Sequence, residues 1–268
     1  MRLKTPKVSV LRWESRTGPL RQTDQVADEE PLEIRVDTRS VCVTMRTPGH
    51  DEELAAGFLL SEGLINKARH LSAVRPYARN GIGNVVDVFL SEDVKVDFGQ
   101  LTRHVFASSS CGLCGKATIQ AVHAHFKPLR SAWSMPAKTL LGLPSKLGSA
   151  QDLFARTGGL HAAAIFTRQG KLVVAREDVG RHNAVDKVLG YGLLKGLLPF
   201  DRHILLVSGR ASFEIMQKAL AARIAVVAAI SAPSSLAVEF ARKSRQTLAG
   251  FVRGERMNVY SCPERLRR

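Results

Sequence analysis

With 268 residues, 45% of them apolar and 24% charged, the chain lies in the globular class, is long enough for two cores, and is excluded from the disordered class. Lys and Arg outnumber Asp and Glu by 39 to 24, so the formal charge of +15 asks for an anionic partner; dispersed basic residues, no nucleic-acid motif and aromatics at 6% favour a phosphate-bearing small molecule over nucleic acid. No window approaches the roughly 18 apolar residues of a membrane span, and the first residues hold no signal-peptide core, so no membrane partner is expected.

Residues 1–130 read as a small α+β domain. Leu32 to Met45 alternate as two short strands around Asp37-Thr38-Arg39, and Thr47-Pro48-Gly49-His50 then breaks the chain. DEELAAGFLLSEGLI follows as a helix, with acids in its first turn and Gly63 near its end. Those acids, Asp51, Glu52 and Glu53, meet the helix dipole and are not read as a metal site. Asn84 to Leu90 is a further strand, and the domain closes with the Cys-x-x-Cys loop SSSCGLCGK and a helical run, KATIQAVHAHF. A stretch punctuated by Pro136, Gly142, Pro144 and Gly148 reads as a linker.

The second domain, residues 131–268, shows its pattern from Gln151 onward as helix, strand, strand, helix, strand, helix, strand, helix, strand. HAAAIF and KLVVAR flank the turn Arg168-Gln169-Gly170, HILLVS and IAVVAAI are strands, and GFVRGERMNVYS closes as strand and turn. Strands separated by helices of this length predict an α/β domain of βαβ units, with its sheet covered on both faces and ligands beyond the strand carboxyl ends.

Four cysteines are too few for a disulfide scaffold, and without an export signal they should be reduced. Cys42, between two valines, and Cys262, near the chain end, read as packing residues. Cys111 and Cys114 are flanked by glycines that let a loop approach a partner, and a following helix N-terminus with Lys116 favours the thiolate. The local motif leaves four readings open: a zinc half-site completed by His123 and His125, a redox dithiol, a sulfur carrier, and an inert pair. Zinc is weakened because histidines at i and i+2 of a helix point to different faces.

Two strand-to-helix junctions carry an unusual density of polar groups. One holds Arg176, Glu177, Asp178, Arg181, His182 and Asn183; the other holds Ser208, Gly209, Arg210 and Phe213. Helix N-termini of this kind favour anions; the competing reading is salt-bridged caps. Gly250, Phe251, Val252, Arg253, Gly254 and Glu255 add a glycine-bearing basic turn, which by itself is an ordinary hairpin, and His161 reads as a partly buried histidine.

Taken in order, TPGHDEELAAGFLLSEG, SSSCGLCGK, TGGLHAAA, EDVGRHNAVDK, VSGRASFEIMQKA and GFVRGERMNVYS closely resemble the formate dehydrogenase accessory sulfurtransferase family, FdhD, from about Pro31 to Ser261. The resemblance implies a cytoplasmic homodimer that takes sulfur from a cysteine desulfurase. It passes that sulfur to the bis-molybdopterin guanine dinucleotide cofactor before the cofactor enters the formate dehydrogenase apoprotein. It makes Cys111 the persulfide bearer with Cys114 assisting, assigns the two junctions and the basic turn to the cofactor, and makes GDP a fragment mimic. It also implies a cytidine-deaminase-like three-layer α/β/α second domain. The deaminase zinc signature, H-x-E with P-C-x-x-C, would fall on His182-Asn183-Ala184 and Gly209 to Phe213. No glutamate follows the histidine there, and Arg210 and Phe213 replace the thiolates, so zinc, deaminase and hydrolase activity are not expected. A redox dithiol chaperone of apo formate dehydrogenase and a zinc- or nucleic-acid-binding module are the alternatives.

Overall fold

The computed structural model describes residues 5–79, 82–94, 120, 122–130 and 133–268. The chain begins with a hairpin absent from the sequence reading, β1 (Lys7–Glu14) and β2 (Gly18–Gln25), paired only with each other. Then come the two expected strands, β3 (Glu30–Val36) and β4 (Arg39–Arg46). Asp37 and Thr38, at φ 46° and 69°, make the tight two-residue turn between them. Helix α1 spans Asp51–Ser61, and β5 (Leu71–Arg79) and β6 (Ile82–Leu90) complete a four-stranded sheet in the order β4-β3-β6-β5.

The stretch read as a linker is instead packed structure. After β7 (Met135–Pro136), α2 (Ala137–Leu141) and α3 (Leu143–Gly148) run under the large sheet with Leu140, Leu143 and Leu147 fully buried. Pro144 is tolerated because it occupies the first turn of α3, where the missing N–H has no partner to lose.

From there the elements follow the predicted order: α4 (Asp152–Thr157), β8 (His161–Thr167), β9 (Leu172–Asp178), α5 (Arg181–Leu194), β10 (His203–Val207), α6 (Phe213–Ala221), β11 (Val226–Ala229), α7 (Ser235–Ser244), β12 (Thr247–Arg253) and β13 (Arg256–Ser261), with a short β14 (Leu266–Arg267) pairing with β7. The large sheet runs β13-β12-β11-β10-β8-β9. Strands β10, β11 and β12 are mutually parallel, and β8 lies antiparallel to both β10 and β9, so β9 points the same way as β10. The carboxyl ends of all four strands therefore share one edge.

Apolar residues form two clusters divided by the faces of this sheet. Met135, Leu140, Leu143, Leu147, Phe166 and Val252 belong to the smaller one, on the α2–α3 side. The other joins the inner faces of α5, α6 and α7 to α1 and to Leu32, Ile34 and Val88 of the small sheet. Helix α1 meets α5 backbone to backbone: a Cβ on Gly57 would stand 1.8 Å from the Asp186 carbonyl oxygen, and one on Gly190 1.7 Å from that of Glu53. Only glycine fits either position.

Two buried ion pairs tie these layers. Lys218 of α6 donates to both oxygens of Asp186 in α5, at 2.9 and 2.8 Å, while the Ser61 hydroxyl of α1 donates to the same carboxylate at 2.7 Å. Burial opposes the Lys218 ammonium, but Asp186 and Glu62 outweigh it and raise its pKa. At the end of β9, Lys187 lies 2.7 Å from Asp178, both side chains within 1% of full burial. Lys187 also donates to the Thr47 carbonyl, and the Thr47 amide donates to Asp178. The TPGH segment is thereby clamped to the β9–α5 junction.

Candidate functional site

The shared strand edge gathers the ends of β9 and β10, the start of β8 and the β12–β13 turn. At the β9–α5 junction, Gly180 caps α5, and Arg181 and His182 are its first two residues. The β10–α6 loop follows the same plan, with Ser212 as the residue preceding α6 and Arg210 exposed on the loop. Gly209 brings the loops together, since a Cβ there would lie 3.2 Å from His161 Nδ1 and 3.6 Å from Arg181 Cβ. The third contributor is a bulged turn. Phe251 has φ 53°, its amide donates to the Ser231 carbonyl at 3.1 Å, and Arg253, Gly254 and Glu255 follow on the surface.

The electrostatics at this edge favour an anion. Burial lowers the His161 pKa, and Arg181 and Arg210 lower it further, so both guanidiniums act on one point. The Arg181 Nε–H is buried without a hydrogen-bond acceptor among the described residues, a donor for which a ligand oxygen is the natural partner. His182 is pushed down to about 4 by burial, then by Lys218 and Arg181, so its ring is neutral near pH 7. Its Nε2 faces the Ser212 hydroxyl at 3.4 Å and Glu214 at 3.9 Å.

Other residues named from the sequence are occupied in holding the site. Arg176 forms a two-pronged pair with Glu53 at 2.6 and 2.8 Å and stacks over Tyr191, facing α1 and not the edge. Asp178 accepts from the Gly180 amide and from Asn183, and Asn183 also donates to the Met45 carbonyl. Ser208 accepts from the Ala162 amide, Val252 is fully buried, and Phe213 packs edge-on against Phe240 at 5.1 Å. Gly250 backs onto Pro233, which a Cβ would approach to 2.9 Å. His161, Ser212 and Glu214 are at the edge but were not assigned to the site; the glycine pair before His161 and the paired junctions were the signals for them.

Cys111 and Cys114 lie outside the described residues. Residues 122–126 do not: His123 packs on Phe240 at 5.3 Å and bonds the Ser244 hydroxyl, and Phe240 in turn touches Phe213 at the start of α6. His125 contacts Phe126 instead, so the two histidines have separate surroundings. Burial, with Asp186 and Glu62 nearby, pushes Cys42 up to about 11, and burial raises Cys262. Both are held as unreactive thiols.

Comparison with known proteins places this geometry. The FdhD/NarQ family is matched over residues 27–267. The chain is 50% identical over 255 residues to the sulfur carrier protein FdhD of Streptomyces avermitilis, covering 91% of this chain and 89% of that one. It is 49% identical over 253 residues to the Mycobacterium tuberculosis sulfur carrier protein FdhD, covering 91% and 92%. The crystal structure of a Desulfotalea psychrophila protein assigned as a formate dehydrogenase accessory protein superposes with a TM-score of 0.77 at 27% identity, over 99% of both chains. A match that begins just after the N-terminal hairpin and takes in both strand-to-helix junctions, the basic turn and the Cys-x-x-Cys segment leaves one conclusion: the chain belongs to the FdhD/NarQ family.

Proposed function

We propose that the chain is a sulfur carrier for formate dehydrogenase maturation, moving a persulfide sulfur from Cys111 to the molybdenum of a bis-molybdopterin guanine dinucleotide held at the strand edge. The observation that carries the second half of this reading is the convergence of His161, Arg181 and Arg210 with an unpartnered Arg181 donor. Relatives at about half identity bear the name sulfur carrier protein, which supports the first half. In this reading Arg181, Arg210 and Arg253 meet diphosphate oxygens, the Phe251–Glu255 backbone meets the guanine end, and Asp178 and Asn183 position them, while Arg176 holds α1 against the sheet. Neutral His182 offers a hydrogen bond without adding charge. Residues 131–268 form a deaminase-like layer whose catalytic zinc positions have been given over to Arg210 and Phe213.

The Cys111 thiolate attacks the outer sulfur of a cysteine desulfurase persulfide; the S–S bond breaks, the desulfurase thiolate leaves, and the sulfur stays on Cys111. Cys111 precedes Gln120 by nine positions, and a chain spans at most about 3.3–3.6 Å per residue, so covalent geometry sets an upper bound of roughly 30 Å on their separation. For delivery the Cys114 thiolate attacks the inner sulfur of the Cys111 persulfide; the S–S bond breaks, a Cys111–Cys114 disulfide forms, and sulfide leaves to the cargo before its insertion into the formate dehydrogenase apoprotein, with the carrier working in the cytoplasm as a homodimer. Intact mass measurement after incubation with a cysteine desulfurase and cysteine tests this. Wild type and Cys114→Ala should gain sulfur while Cys111→Ala does not; sulfur retained on Cys111→Ala would assign the carriage elsewhere.

A further inference from the structure

At the opposite edge of the large sheet a second basic concavity opens, with a volume of about 660 Å³. Four arginines line it, Arg130, Arg168, Arg202 and Arg223, together with Trp133 and Asp201. They come from separate connections. Arg168 follows β8, Arg202 precedes β10, and Arg223 stands between α6 and β11 with φ 63°. Strand β10 has 5 residues, each rising about 3.3 Å, so the concavity is roughly 15–20 Å from the Ser208–Ser212 loop. It is a place apart from the candidate site.

Arg168 and Arg223 are half-buried, and Arg130 and Arg202 are exposed at the rim. Among the described residues none of the four guanidiniums enters an ion pair, and Asp201 is the lone carboxylate in the lining. Trp133 is fixed by its indole N–H, which donates to the Asp201 carbonyl at 2.6 Å, and Arg168 stands over its ring at 5.9 Å from the centroid. Arg223 is steadied by donating to the Lys127 carbonyl at 2.5 Å, which uses one of its five N–H groups. Two of the arginines are thus oriented before any ligand arrives, and orientation lowers the entropic cost of binding.

The concavity has the volume of small-molecule sites and stands open to solvent on one side. Four guanidiniums around one cup are best answered by several charged oxygens in one compact group, since each guanidinium takes a phosphate bidentately. An acidic peptide, with one charge per residue along an extended chain, fills such a cup poorly. We propose that this concavity is a second anion site, which takes the diphosphate group of a small molecule.

The protein supplies its own reporter. Its two tryptophans are Trp13, 73% exposed on the N-terminal hairpin, and Trp133, so Trp13→Phe leaves Trp133 as the sole emitter. Titrating that variant with inorganic diphosphate at fixed ionic strength should give a saturable change in emission as the anion draws Arg168 from the ring. Adding Arg130→Ala and Arg202→Ala, both exposed changes that leave Arg168 on the ring, should raise the apparent Kd about tenfold or more, and Arg202→Ala alone should raise it measurably. Arg210→Ala should leave the curve in place, because that residue belongs to the other edge. A lower Kd for GDP than for diphosphate would identify a nucleotide as the ligand, and equal values would identify the free anion. No saturable change would overturn the proposal, as would an equal response to succinate or a response that follows Arg210 instead of Arg130 and Arg202.

Discussion

Two arginines that look alike in the sequence have opposite fates. Arg176 is neutralised by Glu53, whose carboxyl would be raised by burial but is held below the usual range by His50 and Arg176. Arg210 stands exposed beside His161 with no acid opposite it among the described residues. Removing a charge-assisted contact to a ligand costs about 1.5–3 kcal/mol. Arg210→Ala should therefore weaken GDP binding by roughly tenfold or more, with GDP preferred over ADP in wild type. Arg176→Ala should leave GDP binding unchanged and lower thermal stability. Calorimetric titration beside thermal melts checks both, and equal affinity for GDP and ADP would remove the guanine from the site. The sequence could not separate these arginines, because the partner that occupies Arg176 lies 123 residues earlier in the chain. His182 has its own signature. An unfolded histidine titrates near 6.5, and this one near 4, so the unfolded chain binds the extra proton between those values. Stability should fall as pH drops from about 6.5 towards 4, and His182→Gln should flatten part of that slope in melts taken across the range. An unchanged slope would mean that the ring is solvated.

At the scale of elements, what was legible followed from which faces are buried. The α5-to-β13 run could be read because apolar strands, glycine turns and helix starts recur, and in the structure β8, β10 and β11 are buried along nearly their whole length. The first hairpin could not, because its strands are exposed almost throughout and leave no alternation to detect. Helices α2 and α3 were hidden by their prolines and glycines, which punctuate a loop and a short helix start alike. The α1–α5 contact was invisible for a different reason. A glycine in mid-helix reads as a weakness costing about 1 kcal/mol relative to alanine, so Gly57→Ala should help on propensity alone. Overpacking decides the sign here, since the new methyl would meet backbone and not a movable side chain. Gly57→Ala or Gly190→Ala should lower the unfolding free energy by about 3 kcal/mol or more in denaturant titrations, and a neutral result would mean that the helices stand further apart.

Across the whole molecule, the clamp between Lys187, Asp178 and Thr47 has a consequence for how the fold comes apart. The Thr47 amide is bonded to Asp178, and the Val179 amide to the Thr47 hydroxyl, so each half of the chain protects a backbone proton of the other. If the first half opens alone, the Lys187–Asp178 pair loses the Thr47 amide and carbonyl that hydrogen-bond it, a cost of about 1–3 kcal/mol for each buried polar group left unmade. Hydrogen exchange at Thr47 and Val179 should then keep pace with amides in the middle of β10, slowing to the rate of global unfolding. Lys187→Met should release the first two while leaving β10 slow, and limited proteolysis of that variant should begin to cut near residue 47 where the wild-type chain resists. The junction that shapes the anion edge would then also be the seam along which the molecule's cooperativity is sewn.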